Sequence, residues 1–172
     1  GSLIERKGID LLLRALTDME APFTLALAGS GGEEENLRRM AEERKLQERV
    51  EFLGYLQLDE LRSQYAKSGI FVLPTREDCF ALVILEAMCA GLPVICSKYA
   101  DGSGDLVEDG VNGYIVDPYD TENFHSRLRE LLQNPEKAAQ MGQASLGMLE
   151  KFRFEQVSCG FMEAVETAQR KR

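Results

Sequence analysis

With 172 residues, 44% of them hydrophobic and 28% charged, and with only 15 glycines and 5 prolines, the sequence has the profile of one ordinary globular domain, which excludes disorder, collagen-like repetition and a disulfide-dependent miniature fold. Its net charge of −9 repels polyanions and argues against binding to nucleic acid, so an anionic ligand must be captured by a local set of cations and amides. No apolar run approaches the ~18 residues of a membrane-spanning helix and no signal peptide opens the chain, so a soluble, cytoplasmic protein with no membrane segment of its own is expected. Cys79, Cys89, Cys96 and Cys159 show no metal-binding spacing, and with His125 the only histidine they are expected to be free thiols.

In chain order, short β-rich runs alternate with amphipathic helical stretches, the pattern of βαβ units and a parallel sheet. The expected strands are a truncated one at Leu3-Ile4, then 23–28, 50–53, 70–73, 94–96 and 114–116. Ile9, Leu12, Leu13 and Leu16 follow the i, i+3, i+4, i+7 spacing of a helix with one buried face, and Leu37, Met40 and Ala41 repeat it. The carboxylates of Glu33, Glu34 and Glu35 open that second helix, where they favour the positive end of its dipole. From Thr121 onward only helices are expected, with breaks near Asn134-Pro135 and around 151–154, giving a three-helix tail over 121–172. The fold class is therefore α/β: one Rossmann-like domain with a parallel sheet of about six strands flanked by helices, plus a C-terminal helical tail. The abrupt start at Gly1-Ser2, beside an apparent strand end, leads to the expectation of a domain excised from a longer protein.

Doubly wound sheets bind ligands at the carboxyl ends of their strands, so the loops there are where chemistry is sought. Glu5-Arg6-Lys7-Gly8 offers two cations beside a flexible glycine, which suits a phosphate, although taken alone the segment reads more readily as a solvated basic turn. Gly29-Ser30-Gly31-Gly32 allows close backbone approach, but Glu34 stands where a dinucleotide fingerprint needs its third glycine, so the loop is weak evidence for NAD. The most informative stretch is 74–93: a polar loop with Arg76, Glu77 and Asp78, then a helix apolar on nearly every face that contains Glu86. A carboxylate buried there calls for a hydrogen-bond partner, which ligand hydroxyls would supply; placement on one exposed stripe is the alternative. A helix spanning the whole interval would separate Asp78 from Glu86 by roughly 12 Å, too far to share one sugar bond as a hydrolase pair and suited to a ligand with polar groups at both ends. The first helical amides, from Phe80 through Ala81 to Leu82, would receive a diphosphate between them. A fourth loop, Asp101-Gly102-Ser103-Gly104-Asp105, either bends around a ligand or simply connects.

The run from Asp78 to Glu86, continued by Ala87-Met88-Cys89-Ala90-Gly91-Leu92-Pro93-Val94, resembles the Glu-x7-Glu signature of family 4 retaining glycosyltransferases of the GT-B fold, the glycosyl transferases group 1. Lys7-Gly8-Ile9-Asp10, Leu27-Ala28-Gly29-Ser30-Gly31, Val50-Glu51-Phe52-Leu53-Gly54, Phe71-Val72-Leu73-Pro74 and the stretch 105–113 extend the resemblance in order along almost the whole chain. In that family two Rossmann-like domains face each other across a cleft. The resemblance makes residues 1–172 the C-terminal, donor-binding one, its N-terminal acceptor domain belonging to the same polypeptide and absent here.

The resemblance also implies roles. Lys7 would contact the diphosphate, Tyr55 or Leu56 would border the base, Asp78 would hold the hexose hydroxyls, and Glu86 the ribose. Gly29 and the amides of Phe80, Ala81 and Leu82 would complete a nucleotide-sugar site, with Asp78 and Lys7 nearest the chemistry. It implies transfer from a nucleotide diphosphate sugar with retention and no required cofactor or metal, the donor phosphate assisting the groups that leave and arrive, and an isolated domain that is inactive. Polysaccharide or glycolipid assembly, with any approach to the inner membrane face made through the absent domain, goes with it. Departures from the pattern are Asp78 for the first glutamate, Ala81 for a glycine after the phenylalanine, Ser2 for an arginine, and Gly104-Asp105 for a Pro-Glu pair. They keep open a degenerate binding or regulatory module, or half of a GT-B epimerase or phosphorylase, as alternatives.

Overall fold

The computed structural model describes residues 1–80 and 82–152. A single 3-10 turn, Glu5–Lys7, leads into α1 (Ile9–Ala15), followed by β1 (Leu25–Ala28), α2 (Glu34–Glu43), β2 (Val50–Gly54), α3 (Leu58–Lys67), β3 (Phe71–Leu73), α4 (Leu82–Cys89), β4 (Val94–Ser97), a short α5 (Ser103–Leu106), β5 (Gly113–Val116), α6 (Thr121–Gln133), α7 (Pro135–Met148) and a closing 3-10 turn, Leu149–Phe152. The third helix expected in the tail and Cys159 lie outside the described residues.

The helix boundaries follow local chemistry. Asp120 caps α6 by accepting from the Asn123 N–H at 3.1 Å. At α3 the Gln57 N–H donates to the Glu60 carboxylate at 2.7 Å. Pro135 opens α7, where its missing N–H costs nothing. Strand β1 starts two residues later than expected because Arg49 draws the preceding chain away: its guanidinium stacks 3.7 Å from the centre of the Phe23 ring and donates to the carbonyls of Met19 and Ala21.

All strand pairs are parallel, in two hydrogen-bonded sets of order β1-β2 and β3-β4-β5. Leu3-Ile4 is not a strand; the Leu3 N–H reaches the Ser30 carbonyl, just beyond β1, at 2.9 Å. Strand β4 is buried at every residue, with Ile95 facing the core formed with α1 and α6 and with Val94 and Cys96 facing the core formed with α4. Its register against β5 is fixed by Gly113, where a β-carbon would lie 1.8 Å from the Val94 carbonyl oxygen.

Candidate functional site

Parallel strands send all their carboxyl ends to one edge, and there the loops named above meet. The 3-10 turn ends at Gly8 with φ of 66°, and a β-carbon on Gly8 would lie 2.0 Å from the Pro74 carbonyl oxygen, so only glycine lets the turn lie against the loop after β3. The two segments are then stitched together. The Arg76 N–H donates to the Arg6 carbonyl at 2.8 Å, and the Thr75 hydroxyl donates to the same carbonyl at 3.0 Å. The Arg6 guanidinium donates to the Glu77 carbonyl at 3.0 Å. Arg76 grips the Asp10 carboxylate with two hydrogen bonds, 2.7 and 2.8 Å. Burial pushes the Asp10 carboxyl up, but the hydrogen bonds and charge of Arg76, with Arg14 beyond, outweigh it and hold the group below its ordinary range.

That stitching brings Lys7 and Asp78 together. The Lys7 ammonium donates to Asp78 Oδ2 at 2.5 Å, with the side chains only 23% and 15% exposed. The Asp78 backbone is held from the other side, its N–H donating to the Tyr99 carbonyl at 3.1 Å and its carbonyl accepting from the Asp101 N–H at 2.9 Å. Glu77 is exposed, and it is Asp78 whose carboxylate pairs with Lys7. Half-exposed Phe80 lies over Gly102, where a β-carbon would come within 3.0 Å of the ring, so the fourth loop serves as a bed for that ring.

Glu86 corrects the expectation of a buried carboxylate. It is exposed, and with Leu82, itself 62% exposed, and exposed Cys89 it forms the outward stripe of α4 at i, i+4, i+7, while Ile84, Ala87 and Met88 face the core. Its partner is Tyr65 on α3, whose hydroxyl donates to Glu86 Oε2 at 3.0 Å. Burial, and after it the charge of Glu86, push the Tyr65 phenol above its ordinary range. The helix also starts later than expected: only the stretch from Leu82 to Glu86 is helical within the Asp78–Glu86 interval, so the 12 Å figure does not apply. The Leu82 N–H donates to the Phe80 carbonyl at 2.9 Å and is not a free donor. Ala81 lies outside the described residues.

The remaining expected residues are more scattered. Gly29 has φ of 134° and no room for a β-carbon, which would strike the Gly1 carbonyl; Gly31 is packed in the same way against Leu3. The Gly29 N–H donates to the Gly54 carbonyl at 2.7 Å, so the glycine loop closes upon its own protein. Tyr55 is 76% exposed, and Leu56 lines a shallow hollow of about 440 Å³ with Leu53, Gln64 and Lys67. His125 is half-buried, with Nδ1 2.8 Å from the Ala15 carbonyl. Among the described residues no group of three or more His, Cys, Asp or Glu is placed to hold a metal ion. Sequence reasoning missed Tyr65 and the Asp10–Arg76 grip, because both are made across gaps of 21 and 66 residues and leave no local spacing signal.

Against known proteins, the chain is 32% identical over 160 residues to an uncharacterized glycosyltransferase of Haemophilus influenzae, covering 91% of this chain and 45% of that protein. It is 34% identical over 152 residues to the GDP-mannose-dependent alpha-(1-6)-phosphatidylinositol monomannoside mannosyltransferase of Mycolicibacterium smegmatis, covering 83% of this chain and 40% of that protein. Among solved structures, Anabaena Alr3699/HepE in complex with UDP and glucose matches with a TM-score of 0.83 and 25% identity, over 97% of this chain and 47% of that one. The chain spans a little under half the length of these relatives. The family model described as glycosyl transferases group 1 matches residues 1–147, from the segment that carries Lys7 through nearly all of α7, and the chain belongs to that family.

Proposed function

We infer that this chain is the donor-binding, C-terminal half of a retaining glycosyltransferase that moves a hexose or related sugar from a nucleoside diphosphate sugar to a glycan, glycolipid or other acceptor. The observation that carries the reading is the pairing of Lys7 with Asp78 at 2.5 Å on the edge where the strands end. An ammonium and a carboxylate so placed can turn to a diphosphate and to sugar hydroxyls respectively, the cation offsetting charge that develops on the departing phosphate. Glu86, aimed by Tyr65, offers a carboxylate to the vicinal hydroxyls of a ribose. The name of the mycolicibacterial relative, a GDP-mannose-dependent enzyme, supports a nucleotide-linked donor. Retention follows in this reading from assistance by the donor phosphate on the face where the acceptor arrives, and the acceptor itself would be held by an N-terminal domain.

Calorimetric titration of the chain with GDP, UDP and ADP and their sugar conjugates, with and without magnesium, tests this. Saturable binding of one nucleotide is expected. Glu86→Ala should weaken it by about 5- to 100-fold, in line with the ~1–3 kcal/mol of a hydrogen bond to a charged group. Equal affinity in the wild type and Glu86→Ala would remove the ribose role, and absence of binding at millimolar nucleotide would remove the donor-site reading for this chain.

A further inference from the structure

Strands β1 and β3 do not pair with each other, and the slot of about 550 Å³ between them is lined by all of Leu25–Ala28 and all of Phe71–Leu73. Beyond β4 and β5 the chain exposes apolar surface of another kind. Tyr99 and Tyr119 both stand in solvent, their rings meeting edge to face with centroids 5.8 Å apart. Each follows or precedes a buried residue, Ala100 beside Tyr99 and Pro118 beside Tyr119, so the backbone is anchored while the ring projects.

The pair is held firmly. The Tyr99 N–H donates to the Ser97 hydroxyl at 3.0 Å, the Tyr119 N–H donates to Asp117 Oδ1 at 3.0 Å, and the Lys98 N–H ties the two loops together through the Val116 carbonyl at 2.8 Å. Tyrosines fixed in this way lose little conformational freedom when a ligand lies on them. They also adjoin both segments that carry the Lys7–Asp78 pair. The Tyr99 carbonyl accepts from the Asp78 N–H at 3.1 Å, and the Arg76 guanidinium, which grips Asp10 at the start of α1, lies 5.8 Å from the centre of the Tyr119 ring.

The polar groups around the rings decide what fits. Lys98, 5.1 Å from the centre of the Tyr99 ring, pairs with Asp117 at 2.8 Å, and Arg76 is engaged by Asp10 at 2.7 Å. Both cations are thus neutralised by carboxylates of the chain, which weakens their attraction for a phosphate. The centre of a protein–protein contact is depleted of charge, whereas these rings are bordered by Lys98, Asp117 and Arg76. A pyranose matches both features: a face of C–H groups lies on an aromatic ring, and hydroxyls around its edge meet charged hydrogen-bonding groups.

We propose that Tyr99 and Tyr119 form a stacking floor for a pyranose ring of the acceptor, next to the sugar that Asp78 would hold, so that this chain as well as an N-terminal domain touches the glycan being extended. That the ring is the acceptor's rests on the donor-site reading; that it is a pyranose rests on the tyrosine patch alone.

The test is to follow the ring signals of Tyr99 and Tyr119 by NMR while the chain is titrated with methyl α-glucopyranoside, methyl α-mannopyranoside and methyl α-galactopyranoside, each to ~0.1 M, with glycerol as control. Saturable shifts at both rings are expected with at least one glycoside, at a Kd of about 1–30 mM. Tyr119→Ala should weaken that binding about fivefold or more, and Tyr119→Phe, which keeps the ring, less than about twofold. If Tyr119→Ala lowers Tm, Tyr119→Leu takes its place, since it keeps bulk without an aromatic face. Unmoved ring signals with all three glycosides, or equal affinity in the wild type and the ring-less variant, would overturn the proposal. Ring signals that move with protein concentration instead would overturn it in favour of a second copy as occupant, and displacement of the glycoside by free GDP or UDP would overturn it in favour of a base. Displacement by GDP-mannose or UDP-glucose but not by the free nucleotides would give the floor to the donor's own sugar and overturn the acceptor assignment. A chain that binds nucleotide and no glycoside loses the stacking floor and keeps the donor site; one that binds glycoside and no nucleotide does the reverse.

Discussion

The two halves of the sheet are built from similar sequence and end in different states. In the half containing β3, β4 and β5 the middle strand has a neighbour on each side and a helix layer on each face, and none of its four residues reaches solvent. In the half containing β1 and β2, β1 is as apolar, Leu25–Ala28 being Leu-Ala-Leu-Ala, yet only Leu27 of β1 and Val50 of β2 are buried. Apolar composition fills a core only when a partner strand closes the edge, and the lateral neighbour decides that as much as the helices do.

The largest effects that sharpen this contrast belong to the three-stranded half. Ile95→Ala, at a fully buried site, should cost about 2–5 kcal/mol of unfolding free energy in urea titration, whereas Leu25→Ala, half-buried on the open slot, should cost less than half as much. If the two are equal, the distinction between the halves fails. Gly113→Ala should cost about 1–3 kcal/mol or more, since its β-carbon must displace the Val94 carbonyl oxygen now 1.8 Å from its position, while Gly32→Ala, in open space, should stay within about 1 kcal/mol.

A smaller effect tests the stitching of the Lys7 turn to the β3 loop. Asp10 has its folded pKa held below its unfolded value of about 3.9, so its contribution is present above that pH and is lost as pH falls through the folded pKa. Arg76→Met should therefore destabilise by about 1–3 kcal/mol near pH 6, and the gap to wild type should narrow below about pH 4. A gap constant from pH 6 to pH 3 would show that Arg76 acts through packing and not through charge.

The smallest perturbation is chemical. Burial, with the charge of Asp109, pushes the Cys96 thiol up to about 12, whereas Cys79 and Cys89 are exposed. Iodoacetamide at pH 8 with peptide mapping should label Cys79 and Cys89 within minutes and leave Cys96 unlabelled until the protein is unfolded. Labelling of Cys96 at a rate similar to Cys79 would mean that β4 opens without global unfolding.

Much of this was legible in the residues. The alternation of apolar runs and amphipathic stretches located all five strands and the helices α1, α2, α4, α6 and α7, because period and burial are local consequences of backbone geometry, whereas α3 and the short α5 carried no apolar stripe strong enough to be singled out. The ordered motif blocks pointed to the family that the model match over residues 1–147 assigns. Of the two settings that the sequence leaves open for Glu86, the buried one suggested by its apolar neighbours gives way to the exposed stripe, because neighbours in sequence are not the surroundings in space. The Leu82, Glu86 and Cys89 stripe of the helix is exposed although its neighbours in sequence are apolar, and Glu86 meets the Tyr65 hydroxyl there.

The sequence by itself determined the α/β class and the order of the strands with the loops that follow them, since these depend on periodicity and turn residues. Tertiary structure alone decided that Lys7 meets Asp78 across 71 residues, that Tyr65 meets Glu86 across 21, and that β1 and β3 stand apart with a slot between them. Contacts between distant segments depend on how whole layers pack, and no local pattern along the chain records that packing.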